Sequence, residues 1–227
     1  MSGLGAFQEA ADLHRRTLAD RERVLGPDHP DSLTSRNSLA TTLEGLGAFE
    51  EAADLHRRTL ADRERVLGPG HPDTFISRSN LANALSGLGA FEEAANLHRR
   101  TLADRERALG PDHPRTLNSR SNLANALSGL GRFEEAADLH RRTLADRERV
   151  LGPDHPDTLS SGSRLAHVLS GLDRLQEAAE LHRRTLADRE RVLGPDHPHT
   201  VTSRDDLASA QAALTRRTRR PRRWRTS

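Results

Sequence analysis

The chain has 227 residues, of which 30% are charged and 34% are hydrophobic, and its formal net charge is +2. This polar composition disfavours one large globular core and favours a thin core, one helix pair deep, that extends along the chain. Cysteine is absent, which excludes disulfides and thiolate chemistry and is compatible with the cytoplasm. We expect no secretory signal and no membrane span, because no apolar run reaches about 18 residues.

A six-residue motif divides the chain into repeats. Leu-Gly-Pro-Asp-His-Pro occurs four times, and a variant with Gly70 in place of Asp occurs once. An eleven-residue segment that begins Leu-His-Arg-Arg-Thr-Leu also occurs five times. Self-similarity at a fixed period of 42 residues predicts a helical repeat protein. The motif begins at Leu25, Leu67, Leu109, Leu151 and Leu193.

The first predicted element is a single helix at residues 6–25. Residues 2–5 repeat the sequence of residues 86–89, so the chain is expected to begin at the end of a first helix. The second helix of that repeat is then an orphan without a polar cap. We therefore expect either further repeats ahead of Met1 or a partner to cover its apolar face. The side chains concerned are Phe7, Ala10 and Leu18.

Four helix pairs follow, at about residues 31–67, 73–109, 115–151 and 157–193. In the second pair, Pro72 and Asp73 predict a turn and an acidic N-cap for the first helix. The leucines at 81, 85 and 88 form one helical stripe, and Gly89 ends that helix. Phe91 begins the second helix, which Gly110 ends. Helices of about 15 and 19 residues are predicted to stack side by side.

The residues between Leu39 and Ala52 resemble the tetratricopeptide signature, in which small residues stand where paired helices touch. The 42-residue spacing and the Leu-Gly-Pro-Asp-His-Pro-Asp run resemble the longer repeat of kinesin light chains. They are also similar to bacterial repeat proteins, some of them attached to nucleotide-binding signalling ATPases. The resemblance covers about residues 1–214. It implies an all-α, right-handed superhelical solenoid of antiparallel helix pairs whose concave groove receives peptides.

Histidine and threonine depart from this resemblance at two positions of the second helices. His56 and His98 stand where an aromatic residue is usual, and Thr59 and Thr101 stand where alanine is usual. Looser packing is expected there.

The last predicted helix covers residues 199–214, and an arginine-rich tail, expected to be disordered, covers residues 215–227. The polar residues of the helix are suited to a solvating cap. The tail contains seven arginines and no acidic residue. Because the whole chain has a net charge of +2, the rest of the chain without the tail has a net charge of −5. One hypothesis is that the tail binds the phosphates of a nucleic acid while the indole of Trp224 stacks on a base. The alternative is that the tail is a remnant of a truncation or frameshift. Its residues are Arg216, Arg217, Arg219, Arg220, Arg222, Arg223, Trp224 and Arg225.

No motif for catalysis or for a cofactor is found. All 35 basic residues are arginine, which is typical of a GC-rich, bacterial coding sequence and excludes a P-loop or Schiff-base lysine. Ten of the twelve histidines occupy repeat positions, and equivalent positions are about 10 Å apart in packed helices. That distance is too long for a shared metal, so we expect no metal site. Because no catalytic motif is found, we also expect that the protein is not an enzyme.

A polar stripe on the first helices is the candidate binding surface. Its positions come two residues before the core leucines and lie roughly opposite them on the helix. Asparagine can both donate and accept hydrogen bonds, which suits the backbone of an extended peptide. The alternative is that these are ordinary exposed helix positions. The stripe comprises Asn37, Thr41, Ser79, Asn83, Asn118, Ser121, Asn125, Ser163 and His167.

Three functions remain open from the sequence. The first is a scaffold that binds a protein or peptide partner in the groove. The second is a sensor segment of a larger signalling ATPase. The third is weak nucleic-acid or anionic-surface binding through the tail. The arginines of the second helices are not part of this hypothesis, because they are interleaved with acids and are better explained as a solvated face.

Overall fold

In a computed structural model, which describes residues 2–219, the chain forms ten α-helices and no strand within that range. Each repeat supplies a first helix of 16 residues and a second helix of 19 residues, close to the predicted lengths. No described helix is both long and apolar enough to cross a membrane. The helices are α1 Ser2–Leu25, α2 Pro30–Gly45, α3 Phe49–Leu67, α4 Pro72–Gly87, α5 Phe91–Leu109, α6 Pro114–Gly129, α7 Phe133–Leu151, α8 Pro156–Gly171, α9 Leu175–Leu193 and α10 Pro198–Arg219.

The two terminal helices are longer than the sequence predicted. Gly5 is helical, whereas its equivalents Gly47 and Gly89 have φ angles of 78° and 77° and end a helix. The helix predicted to begin at residue 6 therefore begins at Ser2. At the other end α10 continues to Arg219, so residues 215–219 are helical and are not part of a tail.

The helices form two compact units, Met1–Leu130 and Gly131–Ser227. Within each unit every helix packs against the next one along the chain. In the first unit the first helices also touch one another, because α2 contacts α4 and α4 contacts α6. Each unit is thus a stack of antiparallel helix pairs.

Histidine, and not the predicted acid, caps the first helices. The Nδ1 atom of His71 accepts a hydrogen bond from the backbone N–H of Asp73 at 3.2 Å, and Pro72 takes the first helical position. Asp73 lies in the first turn, where a negative charge is favoured by the helix dipole. The cap requires an unprotonated Nδ1, because only that form accepts a hydrogen bond. The same bond is made by His29, His113, His155 and His197.

Phenylalanine from one repeat packs on glycine of the next. A Cβ placed on Gly45 would lie 2.7 Å from Cε1 of Phe7, and a Cβ on Gly171 would lie 3.0 Å from Cε1 of Phe133. Both distances are shorter than ordinary van der Waals contact, so only glycine admits the ring. This contact joins the second helix of a repeat to the first helix of the following repeat.

Buried arginines connect the helices within the core. Arg63 of α3 donates through Nη1 to the carbonyl of Asp73 at 3.2 Å and to Oγ of Ser77 at 2.9 Å. Burial lowers its pKa. A buried cation is tolerated when its donors are hydrogen-bonded. The bond to serine recurs at Arg21, Arg105, Arg147 and Arg189.

Candidate protein-binding surface

Three serines of the predicted stripe do not lie on the surface. Ser79, Ser121 and Ser163 are buried, and Ser79 donates its hydroxyl to the carbonyl of Phe75 at 2.9 Å. The prediction of an exposed stripe is therefore wrong at these positions. A serine is small enough to let a first helix approach its neighbours closely, and a buried serine offers nothing to a partner.

The outward face of the first helices differs from the predicted stripe at its middle position, which lies one residue later along the chain. On α6 it comprises Asn118, Asn122 and Asn125, spaced i, i+4 and i+7, so that they project from one side of the helix. On α4 it comprises Asn80 and Asn83. We call these five residues the amide face. The sequence analysis missed Asn80 and Asn122, although the i, i+4, i+7 spacing identifies them.

A hydrogen bond between neighbouring first helices fixes one edge of the amide face. Nδ2 of Asn80 on α4 donates to Oδ1 of Asn37 on α2 at 2.9 Å. Thr41, also on α2, is exposed, and its hydroxyl donates to the carbonyl of Asn37 at 3.1 Å. The predicted Asn37 and Thr41 are therefore occupied by contacts within the chain.

Three amides of the face have no partner among the described residues. Asn83 is exposed, while Asn122 and Asn125 are half-buried, and none of the three makes a hydrogen bond with another residue in that part of the chain. Each can donate two hydrogen bonds and accept two. They lie on adjacent helices, because α4 contacts α6.

The equivalent face of the second unit has different chemistry. His167 of α8 is 61% exposed, and its Nε2 lies 3.6 Å from Oδ2 of Asp206 on α10. Its ring meets the ring of buried His182 edge to face, with centroids 5.2 Å apart. Burial, with a smaller effect of His167, lowers the pKa of His182. Within residues 2–219 no group of three or more His, Asp or Glu residues has the arrangement to hold a metal ion.

The histidines of the second helices belong to the core. His56, His98 and His140 are at most 1% exposed, and burial lowers the pKa of His98 and of His140 to about 4. These two rings are therefore neutral at pH 7. The Nδ1 atom of each of the three has no hydrogen-bond partner, which is the energetic cost of histidine at an aromatic position.

Three arginines of the predicted tail, Arg216, Arg217 and Arg219, lie on α10. Arg216 and Arg217 are exposed, and Nη1 of Arg217 donates to the carbonyl of Asp173 at 2.8 Å and pairs with its Oδ2 at 2.7 Å. Asp173 has a φ of 59° at the position where other repeats have glycine. Arg219 is the last residue of α10, and Arg220, Arg222, Arg223, Trp224 and Arg225 lie outside the described residues.

Antiparallel helix pairs with a 42-residue period, histidine caps and phenylalanine–glycine contacts define a helical repeat protein. The chain belongs to the tetratricopeptide repeat family. The family's sequence profile, described as a tetratricopeptide repeat, matches residues 2–31, 32–73, 74–115, 116–157 and 158–199.

Solved structures agree with this assignment. The chain is similar to a Podosopora anserina protein described as a kinesin light chain with nearly identical TPR-like repeats. In one crystal structure of that protein the identity is 30%, the TM-score is 0.73, and the match covers 82% of this chain and 88% of the other. In a second, with the same identity and TM-score, the match covers 84% and 90%. BtubC (BKLC) from P. vanneervenii, at 20% identity, shares the fold, with a TM-score of 0.70 and coverage of 98% and 96%. No curated protein matches the chain.

Proposed function

We propose that this chain is a non-catalytic, cytoplasmic scaffold that binds an extended peptide segment of a protein partner along the amide face of α4 and α6. Tetratricopeptide repeats generally mediate protein–protein interactions. The observation that carries the proposal is the set of unpaired amides of Asn83, Asn122 and Asn125 on two adjacent helices. The cysteine-free composition is compatible with the cytoplasm.

The chemistry of the face fits a peptide backbone. An extended peptide presents N–H donors and C=O acceptors along its length, and an asparagine side chain can satisfy either kind. Each such bond contributes about 0.5–1.5 kcal/mol net. The five side chains of the amide face are all neutral, although 30% of the chain is charged. A neutral face favours recognition of backbone over recognition of charge.

The second helices lack such a surface. Several of their arginines are paired within the same helix, as Arg57 is with Asp54 at 2.8 Å and Arg141 with Asp138 at 2.8 Å. Local pairing of this kind contributes a few tenths of a kcal/mol to the helix and reduces the positive charge that these arginines offer to phosphates. This supports a solvated face on the second helices and binding on the first.

The test uses a twelve-residue peptide selected from a random phage-displayed library against the whole chain. We expect Asn83→Ala combined with Asn125→Ala to weaken its binding by about 1–3 kcal/mol in calorimetry. The midpoint of thermal unfolding should be nearly unchanged, because neither side chain bonds within the described residues.

The matched control is Asn96→Ala. Asn96 is an exposed asparagine of α5 that bonds only to Arg99 on the same helix, at 2.7 Å. Its replacement should leave the affinity unchanged. Equal affinities for the double variant and the parent chain would contradict the proposal.

A further inference from the structure

Four departures from the repeat meet at one place in the first unit. Gly70 replaces an aspartate found in the other four loops, and Ala108 replaces a valine found in the other four second helices. Arg115 stands where three other repeats have aspartate and one has histidine, and Phe75 stands where most repeats have leucine. Gly70 and Ala108 remove side-chain volume, and Gly70 and Arg115 remove negative charge, at the junction of α4, α5 and α6.

Two adjoining cavities open at this junction, and we call them together the Gly70 cavity. Their volumes are about 340 and 420 Å³, and Gly70, Phe75 and Ala108 line both. No atom lies within 4 Å of the position that a Cβ of Gly70 would take. A side chain at this position would therefore have open space to enter.

The loop aspartate has a defined partner in other repeats. Asp28 pairs with Arg65 of α3 at 2.5 Å, and Asp154 pairs with Arg191 of α9 at 2.8 Å. Arg107 is the equivalent arginine at the Gly70 cavity. It is 79% exposed, and its ion pair is with Asp104, one turn earlier on the same helix. Gly70 supplies no carboxylate to it.

Positive charge is concentrated around the cavity. Asp104 is shared between Arg107 and buried Arg78, whose Nη1 lies 2.6 Å from Oδ2. Arg115 lines the cavity, is exposed, and has no ion pair within the described residues. Burial, with the charges of Arg115 and Arg78, lowers the pKa of Arg105, which lies beneath. The site is apolar at its floor and cationic at its rim.

We propose that the Gly70 cavity binds an acidic segment of a partner protein, in which an apolar side chain enters the space over Phe75 and Ala108 while flanking carboxylates pair with Arg107 and Arg115. The partner carboxylate takes the place of the aspartate that Gly70 lacks. A charge-assisted bond to arginine is stronger than a neutral one, particularly beside apolar surface. This site is separate from the amide face and does not depend on it.

The probe is the acetylated and amidated peptide Gly-Ser-Asp-Leu-Asp-Ser-Gly, titrated into the isotope-labelled chain. We expect chemical-shift changes at the backbone amides of Gly70, Ala108 and Arg115. Matched peptides with Asn-Leu-Asn or Asp-Ser-Asp at the centre should bind about tenfold more weakly, because each lacks one half of the recognition.

Variants that restore the repeat residues should close the site. Gly70→Asp, Ala108→Val and Arg115→Asp should each weaken binding of the Asp-Leu-Asp peptide about tenfold or more, because they supply an internal carboxylate, fill the space, or reverse the charge. Each is the residue that other repeats carry at that position, so folding should be retained. Asn83→Ala, on the amide face, should have no effect.

A transplant provides the converse test. Asp28, Val66 and Asp73 are the equivalents of Gly70, Ala108 and Arg115 one repeat earlier. The triple variant Asp28→Gly, Val66→Ala and Asp73→Arg should bind a second peptide, with shifts at residues 28 and 66. Unchanged affinity in the three closing variants, or shifts confined to other helices, would overturn the proposal. So would inorganic phosphate that shifts the same amides with the affinity of the peptide.

Discussion

Arg78 of α4 is held between the second helices of two successive repeats. Its Nη1 lies 2.6 Å from Oδ2 of Asp104 on α5, and its Nη2 lies 3.1 Å from Oε1 of Glu64 on α3. The side chain is 1% exposed. Arg36 repeats the arrangement one repeat earlier, at 2.7 Å from both Glu22 and Asp62.

We expect Arg78→Met to lower the free energy of unfolding by about 2–4 kcal/mol, because it leaves two carboxylates without their common cation. Urea unfolding followed by circular dichroism measures the change. The control Arg99→Met removes an exposed arginine of α5 and should cost less than about 0.5 kcal/mol. A loss for Arg78→Met no larger than that of the control would show that the arginine does not join the repeats.

Gly162 of α8 occupies the position that is equivalent to Arg78, and it has no side chain that could pair with the carboxylates of the second helices. Glu148 pairs with Arg184 at 2.8 Å in its place. Glycine inside a helix also costs about 0.5–1 kcal/mol relative to alanine. We therefore expect Gly162→Arg to raise the free energy of unfolding by about 1–2 kcal/mol in urea titrations, from helix propensity and a restored pair with Glu148 and Asp188.

The substitution requires Thr185 to rotate, since a Cβ on Gly162 would lie 2.7 Å from its Oγ1. In other repeats the equivalent threonine donates to the carbonyl four residues earlier, as Thr59 does to Leu55 at 2.8 Å. Thr185 is expected to adopt that position. A destabilised Gly162→Arg chain would mean that it cannot.

The contact between Phe49 and Gly87 is predicted to be sensitive to a single methyl group. A Cβ on Gly87 would overlap the ring of Phe49, so Gly87→Ala should lower the free energy of unfolding by about 1–3 kcal/mol. Gly5→Ala is the control, because nothing lies within 4 Å of its Cβ position and the residue is helical. That variant should be neutral or slightly stabilised, and equal thermal midpoints for both would contradict the role of the contact.

Stability should fall in acid through the buried histidines. The pKa of His98 and of His140 is lowered to about 4 by burial, whereas an unfolded histidine titrates near about 6.5. Between these values the unfolded chain binds more protons than the folded chain, so the free energy of unfolding decreases as the pH falls from about 6.5 to 4. Above about pH 6.5 both histidines are neutral in the folded and the unfolded chain, so they no longer lower the free energy of unfolding.

Replacing both rings by phenylalanine should flatten this pH dependence, because the unfolded chain then loses two titrating groups. Each histidine accounts for up to about 3 kcal/mol across the window. The histidine caps remain in both proteins, so urea midpoints compared between pH 4.5 and 7.5 isolate the two core residues. Parallel pH profiles would contradict burial as the source of the shifts.

The period and the ends of the internal helices could be predicted from the sequence because Gly110, Pro111 and their equivalents have strong local effects on the backbone. The outward face of the first helices could not. Ser79 and Asn80 are adjacent, and either could face outward until the approach of α2 to α4 buries the serine and bonds the asparagine to Asn37. The Gly70 cavity was missed for the same reason, since its lining comes from α4, α5 and α6.

The most direct measurement for the amide face is a heteronuclear NMR titration that observes asparagine side-chain amides. The probe is a twelve-residue peptide selected by phage display against the chain carrying Gly70→Asp, which closes the Gly70 cavity. We predict that saturating peptide shifts the side-chain amide signals of Asn83, Asn122 and Asn125 and leaves that of Asn96 on α5 unchanged. A peptide that binds while those three signals stay in place, with its shifts confined to the second helices, would contradict the account.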